Sequence, residues 1–184
     1  MIKGEQRNTH YEMFIDILYA VVVGEMIFTY GRELFDPLTI PTLAMVIVYI
    51  AIISSWLFWH RAISRYPHKN PSRFFIDIIV LVTYLLMMLD HSNPDTVFLG
   101  FVILYLLFLV WDLLTRIEYG AGAGRLTSSS ISLVLVLFIA IIRHLLLNFT
   151  QISSTILNSI FLFLLIAMIV ISQEKDIARV SHKS

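Results

Sequence analysis

Asp16, Glu25, His60, Asp77, Asp112, Arg143 and His144 are ionisable side chains set within, or at the edges of, long apolar runs of this 184-residue chain. Charges held at membrane depth are costly. They face a bundle interior or a water-filled path, where they pair with one another, relay protons or line an ion route. Enzymatic chemistry is not indicated. The six histidines are scattered and no HExxH or paired His–carboxylate motif occurs, so neither a metal site nor a cofactor is expected. Gly-Ala-Gly-Ala-Gly at 120–124 follows an apolar run instead of opening a helix after a strand, and reads as a flexible turn, not a phosphate loop. The serines at 128–130 are accounted for by helix capping.

The elements that must position these side chains are transmembrane helices. The chain is 58% hydrophobic and 14% charged, against about 25% charged in ordinary soluble domains. Net charge is zero, which argues against nucleic acid as a partner and leaves the lipid bilayer as the expected one. There is no cysteine, which excludes disulfides, thiolate metal sites and cysteine nucleophiles. The opening Met-Ile-Lys-Gly-Glu-Gln-Arg-Asn-Thr-His has neither an apolar core nor a small-residue cleavage site, so a cleaved signal peptide is not expected.

Six apolar spans, at about 11–31, 38–59, 74–90, 96–115, 129–148 and 154–172, each approach the roughly 20 residues that cross a bilayer. They predict an all-α, polytopic protein with one six-helix domain over residues 1–184. Thr9 with Glu12 reads as a capping box, Asp36-Pro37 and Asn93-Pro94 as N-cap plus first-turn proline, and Ser72 as the start of the third span. With the N-terminus cytoplasmic, one side collects Lys3, Arg7, Arg61, Arg65, Lys69, Arg73, Arg116, Arg125, Lys175, Arg179 and Lys183, while the other receives only Arg32. That asymmetry places both termini inside.

Topology exposes a repeat. Phe-Ile-Asp-Ile occurs at 14–17 and again at 75–78, and Trp56 and Trp111 each precede an arginine, Arg61 and Arg116, by five residues. A duplicated two-helix hairpin accounts for both coincidences, and the convergent enrichment of Trp and Arg at interfaces is the competing account.

Depth separates the ionisable groups into two sets. Asp16, Asp77 and Asp112, with His60, Arg61 and Arg116, fall at the cytoplasmic ends of their spans and are expected to form one polar cluster linking the first four helices, with Asp112 and Arg116 paired at i+4. Structural tethering is the first role for such a cluster, and gating or proton sensing the second. Glu25 lies roughly 21 Å along the first span from Tyr11, deep in its outer half. Arg143 reaches a similar depth in the fifth span with His144 beside it, which makes a Glu25–Arg143 pair the economical expectation. The competing reading is a protonated Glu25 with Arg143 reaching to the outer surface. Asp16 and Glu25, nine residues apart, address opposite faces of one helix.

His10-Tyr11-Glu12-Met13-Phe14-Ile15-Asp16 resembles the RxxxFSD signature that opens the first helix of the potassium-channel family called transmembrane protein 175. Trp56 with Trp59-His60-Arg61 is similar to the WxxH motif closing that family's second helix, and a six-helix unit of this length also agrees. The chain departs from the pattern at His10 and Ile15 and in carrying Glu25. Glu12-Met13-Phe14-Ile15-Asp16-Ile17 also resembles the ExFFDL opening of the low-temperature-requirement A family, and Val23-Gly24-Glu25 is similar to an LGE motif found there. The channel resemblance implies a homo-oligomer in a prokaryotic cell membrane, with first helices around a pore for a monovalent, potassium-like cation. Val21, Gly24 and Phe28 are the stripe it implies for the pore lining. Three functions stay open: an oligomeric cation channel, a transporter or small-ligand receptor with a site inside each protomer around Glu25, Arg143 and His144, and a structural membrane subunit.

Overall fold

The computed structural model describes residues 3–32, 39–69, 71–121, 123, 126–149, 153–165 and 167. Among these residues the chain forms six α-helices and no strand: α1 (Lys3–Tyr30), α2 (Ile40–Arg65), α3 (Pro71–Leu89), α4 (Pro94–Tyr119), α5 (Leu126–Phe149) and α6 (Ser154–Leu165). The first five are long and apolar enough to cross a membrane, as expected of an integral, multi-pass membrane protein. The described part of α6 is shorter than a crossing, and the remainder of the predicted sixth span lies outside the described residues. So do Asp36-Pro37, Arg125, Lys175, Arg179 and Lys183.

Local chemistry explains several helix ends. Asn93 caps α4, its side chain accepting from the Asp95 amide at 3.1 Å, and Pro94 follows in the first turn, a position where the missing N–H of proline costs nothing. Thr39 caps α2 in the same way, accepting from the Thr42 amide at 3.3 Å. Gly120, at φ 98°, ends α4 and returns its N–H to the Arg116 carbonyl at 2.8 Å. Two start signals are corrected. Thr9 lies inside α1, which already begins at Lys3, because Glu5, Gln6 and Arg7 are good helix formers and extend the helix outward. Ser72 lies in the first turn of α3, behind Pro71.

Consecutive helices run antiparallel, as the contacts at their ends require. The first half of α1 meets the start of α3 through Tyr11 and Phe74 and the end of α2 through Asp16 and Trp56; hydrogen bonds also join the start of α3 to the ends of α2 and α4, and the end of α4 to the start of α5. At the other end, Tyr30 of α1 meets His91 between α3 and α4, with ring centroids 5.0 Å apart, and α5 bonds to the starts of α4 and α6. The first group is called the basic end below, after Arg61, Arg65, Lys69, Arg73 and Arg116. In packing order α3 lies between α1 and α4, α4 lies between α3 and α5, and α2 covers α1, α3 and α4. Ala44, Met45, Ile47, Val48 and Ile52 of α2 are accordingly enclosed. Gly100 lets α4 approach α3: a Cβ there would stand 2.2 Å from the Met87 Cγ.

Candidate functional site

At the basic end, two carboxylates are met by indoles from one turn of α2. Asp16 of α1 accepts from Trp56 Nε1 at 3.0 Å and has His60 Nε2 at 2.9 Å. Both its carboxylate and the imidazole remain partly exposed, at 39% and 44%. Asp77 of α3 accepts from Trp59 Nε1 at 2.9 Å and faces His68 Nε2 at 2.9 Å, a contact that asks for the proton on Nε2. This second group is buried, and His68 Nδ1 has no hydrogen-bond partner. Trp56 and Trp59 are three residues apart and so lie on neighbouring faces of α2, one turned to α1 and the other to α3.

The two Phe-Ile-Asp-Ile segments thus place their aspartates alike, but the two hairpins are not equivalent. Asp77 takes its indole from α2, and Trp111 of α4 instead lies under the Arg73 guanidinium, 4.2 Å from its ring centroid. Arg73 is fully buried. It donates to Glu118 Oε2 at 2.9 Å, to the Tyr66 carbonyl at 2.9 Å and to the Pro67 carbonyl at 3.3 Å. Tyr66 is the C-cap of α2, so Arg73 satisfies a carbonyl that the helix end leaves without an amide partner. Tyr119 donates to the Pro67 carbonyl as well. Asp112, buried in α4, accepts from Ser129 of α5.

The single predicted cluster is therefore resolved into successive links, each bridging a pair of neighbouring elements: Asp16 to α2, Asp77 to α2 and the following loop, Arg73 to α4, and Asp112 to α5. Arg61 is exposed, and Arg116 is half-buried with no partner on Nε. His68, Arg73, Glu118 and Ser129 were not singled out from the sequence as members of these links.

The expected Glu25–Arg143 pair does not form. Arg143 turns toward α4 and α6, donating from Nε to Asn158 Oδ1 at 2.8 Å and from its terminal nitrogen to Asp95, with Phe98 beneath it at 4.5 Å. The rotation of α5 about its axis is the reason: the side that carries Arg143 is turned to α4 and α6. Reflection about the α3–α4 turn brings Arg73 opposite Trp111, and its reach to Glu118, about two turns further along α4, was not available from the spacing. Glu25 is on the exposed face of α1, accepting from Thr29 Oγ1 at 3.1 Å. His144 is exposed on α5, where Asn148 Nδ2 lies 3.2 Å from its Nε2 and donates to its carbonyl at 2.8 Å.

Comparison with family models, curated proteins and solved structures finds no match.

Ile15, Tyr19 and Met26 anchor one side of α1 in the core. Val21, Gly24 and Phe28 are on the other side, with Val21 60% and Phe28 90% exposed and nothing within 4 Å of where a Gly24 Cβ would be. Among the described residues, no three His, Asp or Glu side chains converge as a metal ion would require. What the arrangement offers chemically is a tethered helix with one small-to-apolar face left exposed among the described residues.

Proposed function

We propose that the protein is an oligomeric cation channel, potassium-like in class, whose pore is lined by α1 from each copy. The observation that carries this reading is the division of α1 into two faces. Its inner face is fixed by Ile15, Tyr19 and Met26 and by the Asp16–Trp56 bond, while Val21, Gly24 and Phe28 stay unpacked. Arranged around an axis, such stripes form an apolar constriction of the kind that gates by excluding water. A site inside each protomer built on Glu25 and Arg143 has less support, since Arg143 is bonded to Asp95 and Asn158.

The test is conductance of the purified chain in planar bilayers under opposed potassium and sodium gradients. The wild type is expected to pass cations, and Val21→Asn and Phe28→Asn, which wet the stripe, are expected to raise conductance several-fold or more. A folded wild-type protein that passes no current, or variants indistinguishable from it, would sink the proposal.

A further inference from the structure

Two polar pairs on the outer surface of the protomer match each other in depth and in chemistry. On α1, Thr29 donates to Glu25; on α5, Asn148 contacts His144. All four side chains are exposed. Glu25 and His144 each precede the last residue of their helix by five positions, and Thr29 and Asn148 each precede it by one. Since α1 and α5 both start at the basic end, the acid and the imidazole sit at one level, about 7.5 Å inside the opposite end of the bundle. They are far apart within one protomer's packing order, because α1 and α5 close the two ends of the series α1, α3, α4, α5.

We infer that copies of the chain assemble head to tail, α1 of one against α5 of the next, with Glu25 and Thr29 facing His144 and Asn148 across each boundary. Lipid is a poor occupant of these patches, since a carboxylate at this depth needs a donor or water. It suits the remainder of α5, which turns Val134, Phe138 and Ile141 outward. Copies in a bilayer share one orientation, so assembly proceeds about an axis along the membrane normal. A two-fold contact through α1 would then set Glu25 against Glu25, and one through α5 would set His144 against His144. The head-to-tail contact pairs acid with base and hydroxyl with amide, and repeated about the axis it closes as a ring.

The contact also leaves the α1 stripe free. At about 100° per residue, Glu25 and Thr29 lie roughly 40° and 80° to one side of Val21, whereas Phe28 and Gly24 lie roughly 20° and 60° to the other. One flank of α1 can therefore meet a neighbour while the other faces the axis. The inference shares with the channel proposal the need for several copies, but not the need for conduction.

The absence of cysteine from the chain makes disulfide trapping the direct test. Differently tagged Thr29→Cys and Asn148→Cys full-length chains are co-expressed and oxidised in membranes. Cross-links are expected only between the two kinds of chain, and the Thr29→Cys/Asn148→Cys double variant is expected to give a ladder ending at the ring size. Cross-linking of either single variant with itself, or none in the mixture, overturns the inference. A second measurement does not depend on disulfide geometry. Glu25→Gln and His144→Ala should each weaken assembly about tenfold or more in detergent dilution, and the double variant should add little beyond the stronger single one. Fully additive or absent effects count against the contact. A trapped ring that passes no current would remove the channel proposal and leave this contact standing; current through an assembly trapped by Thr29→Cys alone would do the reverse.

Discussion

The two ends of the helical bundle use polar side chains in opposite ways. At the basic end, Asp77, His68, Arg73 and Asp112 are buried, and each reaches from one element to another. At the opposite end Thr42, His91, Arg143 and Asn158 are buried, whereas Glu25, Thr29, His144 and Asn148 bond within their own helices and remain exposed. A buried polar group demands a partner, because leaving it unsatisfied carries the full cost of desolvation. The basic end meets much of that demand inside the protomer, although His68 Nδ1, Arg73 Nε, Trp111 Nε1 and Arg116 Nε are left without a partner. The opposite end leaves Glu25, Thr29, His144 and Asn148 on the surface of the protomer, and this difference separates groups that tie the helices together from groups that the proposed assembly would use.

Removing a charge from the enclosed end should break the comparison most visibly. Arg73→Met leaves Glu118 without its cation and the α2 C-cap carbonyl without its donor, and should destabilise the protein by roughly 3–5 kcal/mol, read as loss of the folded fraction in detergent unfolding. Replacing both partners, Arg73→Met with Glu118→Met, should recover much of that loss, since paired apolar substitutes are often neutral; no recovery would mean that the arginine acts chiefly through the carbonyls and Trp111.

Asp77→Ala ranks next. It leaves the Trp59 indole and the His68 imidazole without their acceptor, an effect of roughly 1–3 kcal/mol on the same unfolding midpoint. Asp16→Ala removes the related group on α1, where partial exposure lets solvent replace the lost bonds, and a loss of about 1 kcal/mol or less is expected. If the two aspartates proved equal, burial would not be what distinguishes them. The smallest effect on the single protomer belongs to Glu25→Gln, within about 0.5 kcal/mol, because it is exposed and bonds to Thr29 of its own helix. A large loss of protomer stability there would erase the contrast between the two ends.

Much of the architecture was legible along the chain. The apolar runs predicted at 74–90, 96–115 and 129–148 became α3, α4 and α5 with shifts of a few residues, and Asn93-Pro94 starts α4. The two Phe-Ile-Asp-Ile segments did mark aspartates that tie α1 and α3 to their neighbours. The site was less legible. Arg143 and Glu25 were matched by depth alone, and depth says nothing of which way a side chain turns around its helix.

The amino-acid order by itself determined where the chain is apolar enough to cross a membrane, where several helices start, and which end collects the arginines. These properties depend on side-chain transfer into hydrocarbon and on backbone groups within a turn or so of the residue concerned. Only the tertiary structure decided that Arg143 bonds to Asp95, that Asp77 draws its indole from α2, and that Glu25 and Phe28 stand outside the core. Those outcomes follow from the stagger of neighbouring helices and from the rotation of each helix about its axis, which are set jointly by all the packed helices.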